Sequence, residues 1–125
     1  MEPIHAAARA ARPPETPLPR QCLEKWSSAG FLRDVIEKGG LEKNNVTLTK
    51  VELSYGTPEL MHFAKMLWSF IGGTSAVGWL EEDERMWDEA VDVIQKELKK
   101  AEGFRELGKV TAQLRFIANV AVATK

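Results

Sequence analysis

The stretch KVTAQLRFIANVAVATK at the carboxyl end constrains the fold more than any other part of the sequence. Read at period two, Val110, Ala112, Leu114 and Phe116 fall on one face, with Thr111, Gln113 and Arg115 on the other. That is the pattern of a strand with one wet side. Beyond Phe116 the alternation stops: Ile117, Ala121 and Ala123 oppose Ala118, Val120 and Val122, and Asn119 is the one clearly polar side chain. A strand apolar on both faces belongs inside a sheet that is covered by other layers. The remainder of the chain has to supply those layers.

What the remainder offers is mostly helix. Residues 28–38 carry apolar positions at Phe31, Leu32, Val35 and Ile36, with Ser27 or Ser28 as N-cap and Gly39–Gly40 as the stop, which predicts an amphipathic helix. NNVTLTKVELSYG is rich in β-branched residues and predicts a strand over 46–54, its facing shifting midway. In GTPEL, Thr57 is placed to cap a helix, with Pro58 in its first position and Glu59 at the positive end of its dipole. The helix is expected to run to Ile71, with Leu60, Phe63, Ala64, Leu67, Trp68 and Ile71 on one face and Gly72–Gly73 at its end. A last helix over 82–100 has acids at its start, lysines at its close and a stripe of Trp87, Ala90, Val91, Ile94 and Leu98. Residues 1–20, rich in Ala and Arg and then in Pro, read as an extended segment with a short helical start, leaving residues 21–125 as the domain. The Ala/Arg bias is shared with mitochondrial presequences, but the segment has no serine.

The inventory contains two long strands, and an isolated pair is marginal in water. The closing strand therefore needs company from another chain or from further residues. Composition narrows the partners. The 17 basic and 18 acidic side chains leave a net charge of -1, so no global field recruits nucleic acid or an anionic membrane. The most hydrophobic segment, LMHFAKMLWSFIGG, is shorter than the ~20 residues of a membrane span and is interrupted by His62 and Lys65. A single cysteine, Cys22, forms no internal disulfide, which fits a reducing, cytoplasmic setting.

Catalytic and metal signatures are not found. GGTSAVG, residues 72–78, follows a helix rather than a strand, so it lacks the context of a phosphate-binding loop and terminates the helix instead. His5 and His62, the only histidines, have no partners at metal or base spacing. The EEDE run is accounted for by the helix dipole. Trp68 and Trp79 bracket the glycine-rich turn, where aromatic surface could meet an apolar small molecule, although core packing is the simpler role for each of the four tryptophans.

Taken in order, LEKWSSAGFLRDVIEKGG, VTLTKVELSYGTPELMHFAKMLWSFIGG, GWLEEDERMWDEAVDVIQKELKKAEGF and QLRFIANVAVATK resemble the carboxyl-terminal half of a class I S-adenosylmethionine-dependent methyltransferase. The flavour is that of fungal small-molecule and quinone-biosynthesis enzymes. The resemblance implies an α/β class, an incomplete Rossmann-like methyltransferase fold with three main helices and two long antiparallel strands. On it, residues 46–54 correspond to the sixth strand of a seven-stranded sheet and 110–123 to the seventh, which lies between the fifth and sixth. Residues 57–103 would be a helical insertion roofing the acceptor pocket, with Trp68, Phe70, Ile71 and Trp79 lining the substrate.

The same resemblance implies S-adenosylmethionine as cofactor, yet the glycine-rich turn and ribose-binding acid of the family's first strands have no counterpart here. No residue inherits a catalytic, cofactor-binding or metal role. The expectation is a methyltransferase-like protein related to enzymes that methylate a small apolar metabolite in secondary metabolism, without turnover by this chain alone. Two rivals stand beside it. One is a noncatalytic interaction module, self-associating as a homodimer or completed by a partner chain; the other is a small α+β cyclase or isomerase.

Overall fold

The computed structural model describes residues 2–19, 24–71, 73–107 and 112–124. Cys22, Gly72 and residues 109–111 of the closing strand, on which some of the expectations fall, lie outside them, as does the side chain of Trp26. The elements run α1 (Glu2–Ala11), a 3₁₀ turn (Glu24–Ser27), α2 (Ala29–Lys38), a second 3₁₀ turn (Lys43–Asn45), β1 (Val46–Thr57), α3 (Leu60–Ser69), α4 (Glu81–Arg85), α5 (Trp87–Lys100), β2 (Arg105–Glu106) and β3 (Ala112–Ala123). The class is mixed α/β, with five α-helices and a three-stranded antiparallel sheet in the order β1-β3-β2 among the described residues. β2 is short: Arg105 pairs with Gln113 and Glu106 with Ala112.

The chain divides into two compact units. One comprises Met1–Gln21 with Tyr55–Leu114, the other Cys22–Ser54 with Arg115–Lys125. The first is built on helices. α5 presents Ala90, Val91, Ile94 and Leu98, all buried, as its sequence stripe requires, and both α1 and α3 pack along it. α3 contributes Ala64 and Trp68.

The largest departure from expectation is α1. The short helical start expected there spans residues 2–11, and it is central to the core. Ile4, Ala7, Ala8 and Ala11, spaced i, i+3, i+4, i+7, are buried in one cluster with α3, α5, Ile71 and Leu114. Alanine is the best helix former, and side chains this small let two helix backbones approach closely. Ala7 and Ala90 are both wholly buried.

Two helix boundaries also move. α3 begins at Leu60 with Glu59 as N-cap, because the Thr57 hydroxyl is engaged two residues on, accepting from Glu59 N at 3.4 Å and donating to Glu59 O at 3.0 Å. The single helix expected over 82–100 is broken at Met86 into α4 and α5. α2 keeps its expected start, where the Ser28 hydroxyl accepts from Phe31 N, and its expected stop, where Gly40 at φ 91° takes a left-handed conformation that glycine adopts freely.

The second unit is α2 and the paired distal halves of β1 and β3. α2 has no buried residue. Val46, 6% exposed, is the one fully buried residue among those described in this unit.

Candidate functional site

Two places carry the residues that sequence reasoning singled out, one in each unit. The first is an aromatic corner in the helical unit. Trp68 is wholly buried, and its indole N–H donates to the Asp83 carbonyl at 3.1 Å. Trp79 meets it edge-on, centroids 6.3 Å apart and planes at 62°, and lies 5.9 Å from Trp87. Such tilted pairs suit the ring quadrupoles. Trp79 keeps 39% of its surface exposed and Phe70 63%, while Ile71 is completely buried beside Trp68 in the core cluster. Of the four positions expected to line substrate, Trp68 and Ile71 are therefore packing residues, and Phe70 and Trp79 present aromatic surface to solvent.

The corner is held by a buried ion pair that the sequence does not announce. Arg12 donates through Nε to Asp83 Oδ1 at 2.7 Å and through Nη2 to Oδ2 at 2.6 Å, the bidentate fork of guanidinium on carboxylate. The two side chains are 1% and 0% exposed. Their remaining capacity is used as well. Arg12 Nη1 donates to Ser75 Oγ, Nη2 also donates to Gly78 O, and Leu80 N donates to Asp83 Oδ2. A desolvated pair is tolerable only when satisfied in this way. Gly78, whose carbonyl turns toward Arg12, sits at φ 72°. Asp83 is thus more than a dipole ornament of the EEDE run, because it ties the loop before α4 to the end of α1. Nearby, His5 is buried with Nε2 2.8 Å from Pro19 O, which fastens the proline-rich connector; His62 is exposed.

The second place is the β1/β3 ribbon of the other unit. Arg115 Nη1 lies 3.7 Å from Glu52 Oε2 across the two strands, so these side chains share a face. Because successive residues alternate, Lys50 and Asn119 belong to that face too. Asn119 Nδ2 donates to Ser27 O there at 2.8 Å. The opposite face then carries Val51 and Leu53 from β1 with Phe116, Ala118, Val120 and Val122 from β3. Leu53 is 51% exposed, Phe116 48%, Val120 40% and Val122 63%. On the charged face Ile117 is 65% exposed as well. β3 has β1 along one edge. Along the other, β2 reaches only as far as Gln113, and among the described residues no strand follows beyond it.

Glu2 is held below the usual carboxylate range by a hydrogen bond from Arg9, and Lys96 is raised by its hydrogen bond to Asp92. Both lie on solvated helix surfaces, outside the two places. Among the described residues no group of three His, Cys, Asp or Glu could hold a metal, and no helix is long and apolar enough to cross a membrane. An open hollow of 260 Å³ lined by Gly40, Leu41, Glu42, Asn45 and Thr124 sits at the end of the ribbon. These residues do not form a cofactor cradle: Gly40 ends a helix, whereas a nucleotide-binding turn leads from a strand into one. No protein family matches the sequence, and neither does any curated protein.

Proposed function

We propose that this chain is methyltransferase-like, related to enzymes that transfer a methyl group from S-adenosylmethionine to a small apolar metabolite, and that it does not bind the cofactor by itself. The observation that supports the reading is the state of β3. It is antiparallel, has β1 on one side, is open on the other beyond Gln113 among the described residues, and apart from Asn119 is apolar on both faces from Phe116 onward. A closing strand that lies between the fifth and sixth strands of a methyltransferase sheet would have these properties once the fifth strand and its covering helices were taken away.

On this reading the Rossmann-like sheet is completed by residues beyond these 125 or by another chain, which also bring the glycine-rich turn and the ribose-binding acid. Phe70 and Trp79 are the residues of this chain left free to meet an apolar acceptor. Their contribution would be to position it, since methyl transfer depends largely on holding the acceptor in line with the sulfonium.

The test has two parts. Calorimetric titration of the purified chain with S-adenosylhomocysteine is expected to give no binding heat, and micromolar affinity would overturn the cofactor-deficient assignment. Sequencing of transcripts across the locus is expected to find a frame encoding a strand, a glycine-rich turn and a helix. A locus without one, in cells where the chain is nevertheless made, would count against the reading as a whole.

A further inference from the structure

We infer that Arg12 is a positioning residue: together with Asp83 it holds the strap 73–80 and so keeps the Trp79 ring against Trp68 and Trp87. The strap has no apolar anchor of its own. None of residues 73–80 is buried, and Val77 and Trp79 are 42% and 39% exposed. Its backbone bonds are single turns, Thr74 N to Ile71 O and Gly78 N to Ser75 O. What reaches inward is polar. Ser75 Oγ at 3.0 Å and Gly78 O at 3.1 Å accept from Arg12, and Leu80 N donates to Asp83 Oδ2 at 2.8 Å. Gly78 and Leu80 are the two neighbours of Trp79, so the ion pair fixes the backbone on both sides of that ring. Asp83 also places the ring beneath it, because its carbonyl accepts from the Trp68 indole N–H.

Stability alone does not account for such a pair. Well-packed apolar residues of similar volume often serve a fold as well as a buried ion pair does, and α1 already buries its alanine stripe. Apolar residues cannot supply directed donors. A guanidinium presents five in a fixed plane, and here Nε and Nη2 take the carboxylate while Nη1 and Nη2 reach the strap. The pair therefore specifies one geometry of the strap. On the methyltransferase reading, on which this consequence rests, Arg12 acts on an apolar acceptor through Trp79.

The test compares the full wild-type chain with the double variant Arg12→Met, Asp83→Leu by urea unfolding and by NMR. The Gly78 amide is the reporter, since neither substitution touches its acceptor, Ser75 O. It is expected to exchange about tenfold faster or more. Ring-to-ring cross-relaxation from Trp79 to Trp68 and Trp87 is expected to disappear, while the unfolding midpoint and the amide protection of α3 and α5 stay close to wild type. Arg12→Lys keeps a charge beside Asp83 but lacks the planar fork. It is expected to loosen Gly78 in the same way, and it reports should the double variant fail to fold.

Unchanged Gly78 exchange with intact Trp79 contacts in either folded variant would overturn the inference, because the strap would then be seated by ring packing. Equal loosening of Gly78, α3 and α5 would overturn it too, by making the pair a general support of the fold. No cofactor or acceptor enters these measurements, so their failure leaves the methyltransferase reading in place, and cofactor binding by the chain would leave the strap's attachment standing.

Discussion

The helical unit and the ribbon unit draw on the same kinds of apolar residues and bury them to very different degrees. In the first, Ile4, Trp68, Ile71, Ile94 and Leu98 are each 6% exposed or less. In the second, Leu53, Phe116, Ile117, Val120 and Val122 are each at least 40% exposed. Propensity does not explain the contrast, for β3 is as clear a strand as α5 is a helix. Layering does. α5 has α1 and α3 packed along it, while the second unit fully buries only Val46 among its described residues. Secondary structure sets which side chains share a face, but only a second layer turns that face into stability.

If the comparison is right, the largest stability loss comes from the buried pair that fastens α1 to the helical unit. Asp83→Ala leaves the Arg12 guanidinium desolvated and unpaired, and a loss of about 3–5 kcal/mol is expected in urea unfolding. Replacing both partners with Arg12→Met and Asp83→Leu should recover most of it, since the cost lies in stranding one charge. A single-variant loss near zero would mean that the pair is hydrated and that the helical unit is less tightly packed than its burial indicates.

Next in size is one truncation made in both units. Ile94→Ala opens a cavity at a wholly buried position and is expected to cost about 2–5 kcal/mol. Val122→Ala, at a position 63% exposed, should stay within about 0.5 kcal/mol when measured on the monomer at low concentration. Equal losses at the two sites would break the comparison.

How much of this was legible in the sequence follows from the same division. The stripe on α5, the Ser28 cap on α2 and the two long strands are local patterns, and they stand where periodicity and capping chemistry placed them. α1 carried a readable i, i+3, i+4, i+7 signal in Ile4, Ala7, Ala8 and Ala11. That pattern gives the helix but not its place in the core, because alanine contributes little hydrophobicity and the value of those positions lies in allowing α5 close. Arg12 and Asp83 are 71 residues apart, so nothing local marks their pairing. The break at Met86 has no Gly or Pro to announce it. For the candidate site, Trp68 and Trp79 bracket one turn in the sequence and their rings meet in the fold, but no local pattern separates the inward Trp68 and Ile71 from the outward Phe70 and Trp79.

A smaller effect separates the two units without perturbing a core. Ser28→Ala removes the hydroxyl that accepts from Phe31 N and should cost α2 about 1 kcal/mol. Because α2 buries nothing, the loss is expected as faster amide exchange within residues 29–38 and not as a shift in the unfolding of the helical unit. A matching shift there would show that the two units unfold together.

The smallest expected effect sets a solvated ion pair against the buried one. Arg9 donates to Glu2 at 2.8 Å on the outer side of α1, the partners being 54% and 65% exposed, and this bond and charge lower the Glu2 pKa. A carboxylate whose folded pKa is depressed contributes its stabilisation above the unfolded pKa and loses it as pH falls through the folded one. Glu2→Gln should therefore lower the melting temperature slightly at neutral pH, and the difference from wild type should vanish in acid. Salt should also erase it, because exposed charges are screened, whereas the effect of Asp83→Ala should survive salt. If Glu2→Gln costs as much as Asp83→Ala, α1 is seated by its surface and not by its buried alanine stripe, and the contrast between a packed unit and an open one loses its foundation.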